Sequence, residues 1–192
     1  MIVDGLLLAA GAGSRMGRPK ALVVGDDGTP WLRAALGRLH DGGCRRVTVV
    51  LGAAAAEAAA LLEGSDVHVV VAPDWAEGMS ASLRTGLAAL DTSADAALVT
   101  LVDLPDVTAA VMVRVLEAAA GDGRAALARA AYDGVPGHPV AIGRDHWAAV
   151  RTTARGDRGA RDHLRATPHR LVECGDLATG RDLDTAEDLR RG

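Results

Sequence analysis

A chain of 192 residues, 49% apolar and 24% charged, is long enough for one sizeable core and has the composition of a folded domain, not of a disordered one. A net charge of −4 argues against a nucleic-acid surface, and no run approaches the ~20 apolar residues of a membrane span. Cys44 and Cys174 lie far apart without metal-ligand spacing, and the start carries Asp4 and no basic residue, so a protein of the reducing cytoplasm without a signal peptide is expected.

In chain order, Leu6–Ala10 reads as a buried strand, Trp31–His40 as a helix and Arg46–Leu51 as a second strand. The alanine-rich Ala54–Glu63 favours a helix, and Val67–Ala72 a third strand. Ser80–Leu90 reads as a helix with Ser80 as its N-cap, Ala96–Val102 as a fourth strand, and Thr108–Ala120 as a helix capped by Thr108. Strands are then expected at Ala125–Ala130 and Pro139–Ile142, joined by the turn "YDGVPG". Helices at Arg144–Arg151 and Gly159–Ala166, a strand at Arg170–Cys174 and a helix at Thr185–Arg190 complete the reading. Apolar strands alternating with amphipathic helices predict a single α/β domain over residues 1–192: a three-layer α/β/α fold with a mainly parallel, Rossmann-like sheet.

The stretch "LLLAAGAGSRMGRPKAL" follows the first strand, where an open parallel sheet binds its ligands. Gly11, Gly13 and Gly17 let backbone N–H groups converge on one point, a concavity suited to phosphate. Ser14, Arg15 and Lys20 add donors and charge, whereas Arg18 reads as solvated. The same pattern also fits a plain strand-to-helix turn with solvated arginines. It is not a P-loop, because Gly17 is followed by Arg18 and Lys20 by Ala21. It departs from the dinucleotide fingerprint too, since Met16 takes the third glycine position. Lys20 is the only lysine in a chain that otherwise uses arginine, which points to a place where a compact ammonium is needed.

A second constellation is "ALVTLVDLPDV", in which Asp103 ends the fourth strand at the same sheet edge as the glycine loop. It fits either a metal-binding carboxylate or a turn aspartate; Asp106 fits a helix cap. "GRDLDTAEDL" adds Asp182, Asp184, Glu187 and Asp188, the last two reading as surface charges in the first turn of a helix.

The run L-A-A-G-x-G-x-R-M-G-x-x-K resembles the signature of the nucleotidyltransferases, which join an NTP to a phosphorylated acceptor and release pyrophosphate. That resemblance implies the nucleotide-diphospho-sugar transferase type of fold. It implies a nucleotide site at Leu8, Ala9, Ala10, Gly11, Gly13, Ser14, Arg15, Gly17 and Lys20, with Arg15, Lys20 and Asp103 catalytic. It also implies Mg²⁺ on Asp103 and Asp184, with Asp182 in reserve. Three more stretches, "GMSASLRTGL", "GHPV" and "GDRGAR", individually read as a capped helix, a turn and a surface loop. Taken in order they look like the molybdenum cofactor cytidylyltransferases. On that likeness Gly78 and Ser80 join the nucleotide site, His138 faces the acceptor, and CTP and a phosphorylated pterin are the substrates. Departures are "ALVVGDDGTPWL" after Lys20, Leu104 where glutamine is frequent, and Ala186 in place of proline.

The partners so implied are small molecules and a molybdoenzyme or its maturation protein, with no nucleic acid or membrane, and a monomer is expected. Rival readings are a transferase for another base or acceptor (GTP with molybdopterin, CTP with a sugar or polyol phosphate), a non-catalytic nucleotide-binding accessory protein, and a redox protein. His40, His68, His146, His163 and His169 show no ligand spacing, and Trp31, Trp75 and Trp147 read as packing residues.

Overall fold

The computed structural model describes residues 1–185 and residue 188. Seven strands form one sheet: β1 (Val3–Ala9), β2 (Val47–Leu51), β3 (His68–Val71), β4 (Ala96–Leu101), β5 (Leu127–Tyr132), β6 (Val135–Gly143) and β7 (Arg170–Glu173). Their order is β3-β2-β1-β4-β6-β5-β7. β1 to β4 are mutually parallel, β6 runs against both β4 and β5, and β7 is parallel to β5. Among the described residues six helices cover the sheet: α1 (Trp31–Asp41), α2 (Ala55–Ala60), α3 (Met79–Ala89), α4 (Ala109–Ala119), α5 (Arg144–Thr153) and α6 (Arg161–Ala166).

The central strands form because their side chains are apolar on both faces. On one face Leu7, Val49, Leu51 and Leu98 pack with Leu32 and Leu36 of α1 and Val111 and Met112 of α4. On the other, Leu6, Leu8, Val50 and Val99 pack with Leu83 and Leu87 of α3 and with Trp147 and Val150 of α5. Full burial of each such side chain contributes about 1.5–3 kcal/mol, so two dry interfaces clamp β1, β2 and β4 from both sides. The edge strands β3 and β7 are largely exposed or half-buried, which fits their short length. Gly86 lets α3 approach the sheet: a Cβ there would stand 2.5 Å from a Leu6 methyl.

The mainly parallel α/β reading holds, with helices on both faces. Three local expectations change. α3 starts at Met79 with Gly78 at its cap, so Ser80 is not the N-cap. Thr108 does precede α4, but its side chain makes no capping bond. β6 is longer than expected and β5 starts and ends two residues later, because the chain reverses over only Asp133 and Gly134, at φ 51° and 76°. Positive φ at both turn positions is the tight hairpin geometry that Asp-Gly favours. The expected helix Thr185–Arg190, with Ala186 and Glu187, lies outside the described residues apart from Thr185 and Asp188. Among the described residues no helix is long and apolar enough to cross a membrane.

β1 is followed by connections toward β2 and β3 on one side, while β4 lies on its other side. The carboxyl ends of β1 and β4 therefore flank the point where the winding direction reverses, which is where open α/β sheets leave a crevice.

Candidate active site

The chain leaves β1 at Ala10 and enters the glycine loop at that crevice. Gly13 sits at φ 63°, and a Cβ there would run into the Arg18 carbonyl, so only glycine fits. The Met16 N–H donates to the Gly13 carbonyl at 2.9 Å, and the buried Met16 side chain pins the loop to the core. A Cβ at Gly11 would meet nothing within 4 Å, so packing within the protein does not demand glycine there. The backbone N–H groups of Gly11 to Arg15 have no acceptor among the described residues. Such a row of free donors beside a sheet edge is an anion-binding concavity.

The loop walls a cavity of about 490 Å³. Leu8, Ala9, Ala10, Gly11, Gly13, Ser14, Arg15, Lys20, Gly78, Asp103 and Asp184 line it, as do Asp182, Asp157, Ser82 and Trp75. Gly17 is exposed at the rim with φ 77° and shapes the turn without lining the cavity. Ser80 is fully buried, and its Oγ accepts the Gly159 N–H at 3.1 Å; its hydroxyl docks α3 on the "GDRGAR" loop and does not reach the cavity. Ser82, two residues on, takes the cavity-facing position instead. His138 lies on β6 outside the cavity lining.

Three distant segments meet at the acidic end. The Lys20 Nζ donates to Asp103 Oδ2 and to Asp184 Oδ1, each at 2.5 Å. The Arg15 guanidinium, mostly exposed, reaches Asp184 Oδ2 at 2.8 Å. Carboxylate oxygens of Asp103, Asp182 and Asp184 all lie within 4.8 Å of one another. Burial works to lower the Lys20 pKa, but the Asp103 and Asp184 carboxylates outweigh it and hold the ammonium charged, above its usual value. Burial pushes the Asp103 carboxyl up from its ordinary value despite Lys20, with help from Asp182. The ammonium thus stands where a cation bridging Asp103 and Asp184 would stand. An all-oxygen carboxylate set of this kind suits a hard divalent metal.

The segment carrying Asp184 is fastened by side chains with no role in the chemistry. The Leu183 N–H donates to the Asp103 carbonyl at 3.0 Å. Asp106 accepts from the Thr179 N–H and hydroxyl at 2.7 and 2.6 Å, so it anchors this segment and does not cap α4. Asp188 Oδ2 accepts from the Thr185 hydroxyl, the Thr185 N–H and the Asp184 N–H, and its own N–H donates to Thr185 Oγ1. These reciprocal bonds form a capping box, so Asp188 is more than a surface charge: it sets the Asp184 backbone. Thr-x-x-Asp at 185–188 was the sequence signal for it. Asp188→Ala is expected to weaken Mn²⁺ binding about tenfold by calorimetry while leaving the fold intact.

Residues 5–172 match the family described as the MobA-like NTP transferase domain. The chain belongs to that family. This nucleotidyltransferase is 39% identical over 199 aligned positions to the nicotine blue oxidoreductase of Paenarthrobacter nicotinovorans, covering 98% of this chain and 95% of that one. Among solved structures it is similar to Rv0371c from Mycobacterium tuberculosis H37Rv, at 28% identity and a TM-score of 0.81, over 100% of this chain and 97% of that one. A manganese complex of Rv0371c superposes with a TM-score of 0.79 at 27% identity, over the same shares of the two chains. A nucleotidyl transferase from Methanothermobacter thermautotroptrophicus gives 25% identity and a TM-score of 0.81, over 99% and 95%. Asp182 and Asp184 of the present NTP transferase lie beyond the matched span of the family, yet the fold returns them to the crevice, with Asp188 bracing the Asp184 backbone.

Proposed function

We propose that this nucleotidyltransferase joins CTP to the phosphate of a pterin-type molybdenum cofactor, with Mg²⁺ as its metal and pyrophosphate as the second product. The observation that carries the reading is Lys20 bridging Asp103 and Asp184 beneath a loop of free backbone donors. The N–H groups of Gly11 to Arg15 would hold the triphosphate, with the Arg15 fork on its terminal phosphates. Lys20 would leave the carboxylates for the α-phosphate, where charge builds as the acceptor oxygen attacks and the bond to the β-phosphate breaks. Asp103 and Asp184 would hold Mg²⁺, which supplies charge neutralisation on the reacting phosphates. The acceptor phosphate is already an anion, so no base is required, and catalysis rests on alignment. Trp75 and the first turn of α3, with Gly78 and Ser82, line the other wall of the cavity and would receive the nucleoside.

The relative named as an oxidoreductase favours a second reading, use of a nicotinamide dinucleotide by the same crevice. Against it stands Met16 at the third glycine position, buried where that fingerprint needs close helix packing. Thermal shift separates the two. With Mg²⁺ and a ligand at about 100 times its Kd, melting is expected to rise by roughly 5–10 °C. The expected order places CTP above the other three NTPs, with no response to NADPH, and pyrophosphate appears when phosphorylated pterin is added. A response to NADPH and to none of the NTPs overturns the transferase assignment.

A further inference from the structure

The α3 wall of the crevice carries a carboxylate that no step of the transfer uses. Asp157 lines the cavity with Gly78 and Ser82. Three fittings hold its loop there. Gly78 stands at φ 106°, and a Cβ on it would lie 2.3 Å from Asp157 Oδ1 and 2.8 Å from the Gly156 carbonyl carbon, so the loop closes on α3 only because Gly78 has no side chain. Two residues past Asp157, the Gly159 N–H donates to Oγ of the fully buried Ser80 at 3.1 Å. At the first residue of α3, the Met79 N–H donates to Asp157 Oδ1 at 3.3 Å.

The start of an 11-residue helix attracts anions, and α3 starts on the same cavity as the anion-binding glycine loop. Asp157 fills that place with a charge of the chain's own. A second anion beside it is repelled, so the triphosphate has one cradle, the glycine loop, and the nucleoside faces α3. Arg158, next in the chain, turns to Asp162 at 3.4 Å and does not neutralise Asp157. Oδ2 of Asp157 accepts no hydrogen bond among the described residues. A carboxylate offers acceptors and no donor. On a pyrimidine it matches the exocyclic amine of cytosine and opposes the carbonyl oxygen that uracil has in its place.

We propose that Asp157 selects the base: its Oδ2 accepts a hydrogen bond from the exocyclic amine of cytosine and turns uracil away. The assignment rests on the transfer reading for the nucleotide's place in the crevice, and it names a residue for the base preference. Oδ1 serves the Met79 N–H, so the two oxygens divide the work between holding the loop and reading the ligand.

Calorimetric titration with CTP, UTP and 2′-deoxy-CTP in the presence of Mg²⁺ tests this on the wild type and on Asp157→Asn. The wild type is expected to bind CTP about 30-fold tighter than UTP, the worth of one hydrogen bond to a charged group. In Asp157→Asn the Met79 N–H keeps the amide oxygen, so the amide N–H₂ takes the Oδ2 position and donates to uracil. The CTP preference is then expected to fall to within about threefold, while the ratio of CTP to deoxy-CTP and the melting temperature stay at wild-type values. An unchanged CTP preference in Asp157→Asn, or in an Asp157→Ala variant that only melts earlier, reduces the carboxylate to a helix cap and overturns the proposal. A change confined to the deoxy-CTP ratio places it on the ribose and overturns it as well. The transfer reading fails separately: CTP bound with this preference yet not consumed with phosphorylated pterin in the pyrophosphate assay leaves base selection standing.

Discussion

Replacing Asp103 with asparagine is expected to lower pyrophosphate release by about 10³-fold while leaving the metal-free protein at least as stable as the wild type. The two halves of this result have one cause. Asp103 is largely buried at the end of β4, and burial holds its carboxyl above the ordinary carboxylate value. A carboxyl whose pKa is raised on folding is penalised once it ionises. The penalty is absent below the unfolded value near 4 and grows as pH rises through the folded value. Asparagine keeps the shape and carries no charge, so its melting temperature should match or exceed that of the wild type at pH 7. The gap should close as pH approaches about 4. Calorimetric melting from pH 4 to 8, alongside a pyrophosphate assay, checks both parts. A variant that turns over normally with Mg²⁺ would remove Asp103 from the chemistry.

Removing the Lys20 ammonium is expected to have opposite effects on metal binding and on turnover. In the metal-free protein Lys20 stands 2.5 Å from both Asp103 and Asp184, so a divalent ion must displace it. Lys20→Ala is therefore expected to bind Mn²⁺ about tenfold tighter without nucleotide, a modest fraction of the Coulomb energy of such a pair at the protein surface. Turnover should fall by about 10² to 10³, since the charge that follows the α-phosphate is gone. Lys20→Arg separates charge from shape. It should bind nucleotide within about threefold of wild type yet lose about 10² in rate, because a planar guanidinium cannot track a single oxygen as an ammonium does. Manganese titration by electron paramagnetic resonance, with steady-state kinetics, reads all three numbers. Unchanged Mn²⁺ affinity in Lys20→Ala would mean that the lysine does not occupy the ion's place.

The sequence carried the central fold because β1, β2 and β4 are apolar at successive positions, a pattern that burial on both faces imposes. The reversal of β6 was written in the chain as well. Asp133-Gly134 is a two-residue turn, and strands so joined can only be antiparallel. Reading "YDGVPG" as six turn residues shortened β6 and ended β5 two residues early.

The glycine loop and Lys20 were legible because they are contiguous. The cavity's far wall was not, since it depends on where α3 starts. A start at Met79 and a step of about 200° between residues two apart send Ser80 to Gly159 and Ser82 to the crevice. Trp75, read as a packing residue, became a cavity wall because Gly52 admits it beside Ala10. The anchoring role of Asp106 could not be separated from ordinary capping by residue type, because it arises from contact with a segment that has no regular structure.

Asp184 follows Lys20 by 164 positions, and six of the seven strands come between them. At about 5–20 residues per second, a ribosome takes many seconds to add that stretch. A nascent chain can wind its four parallel strands, β1 to β4, and display its glycine loop before Asp184 has been added. Throughout that interval Lys20 has only Asp103 to pair with, and the acidic end of the crevice is completed only once Asp184 follows β7.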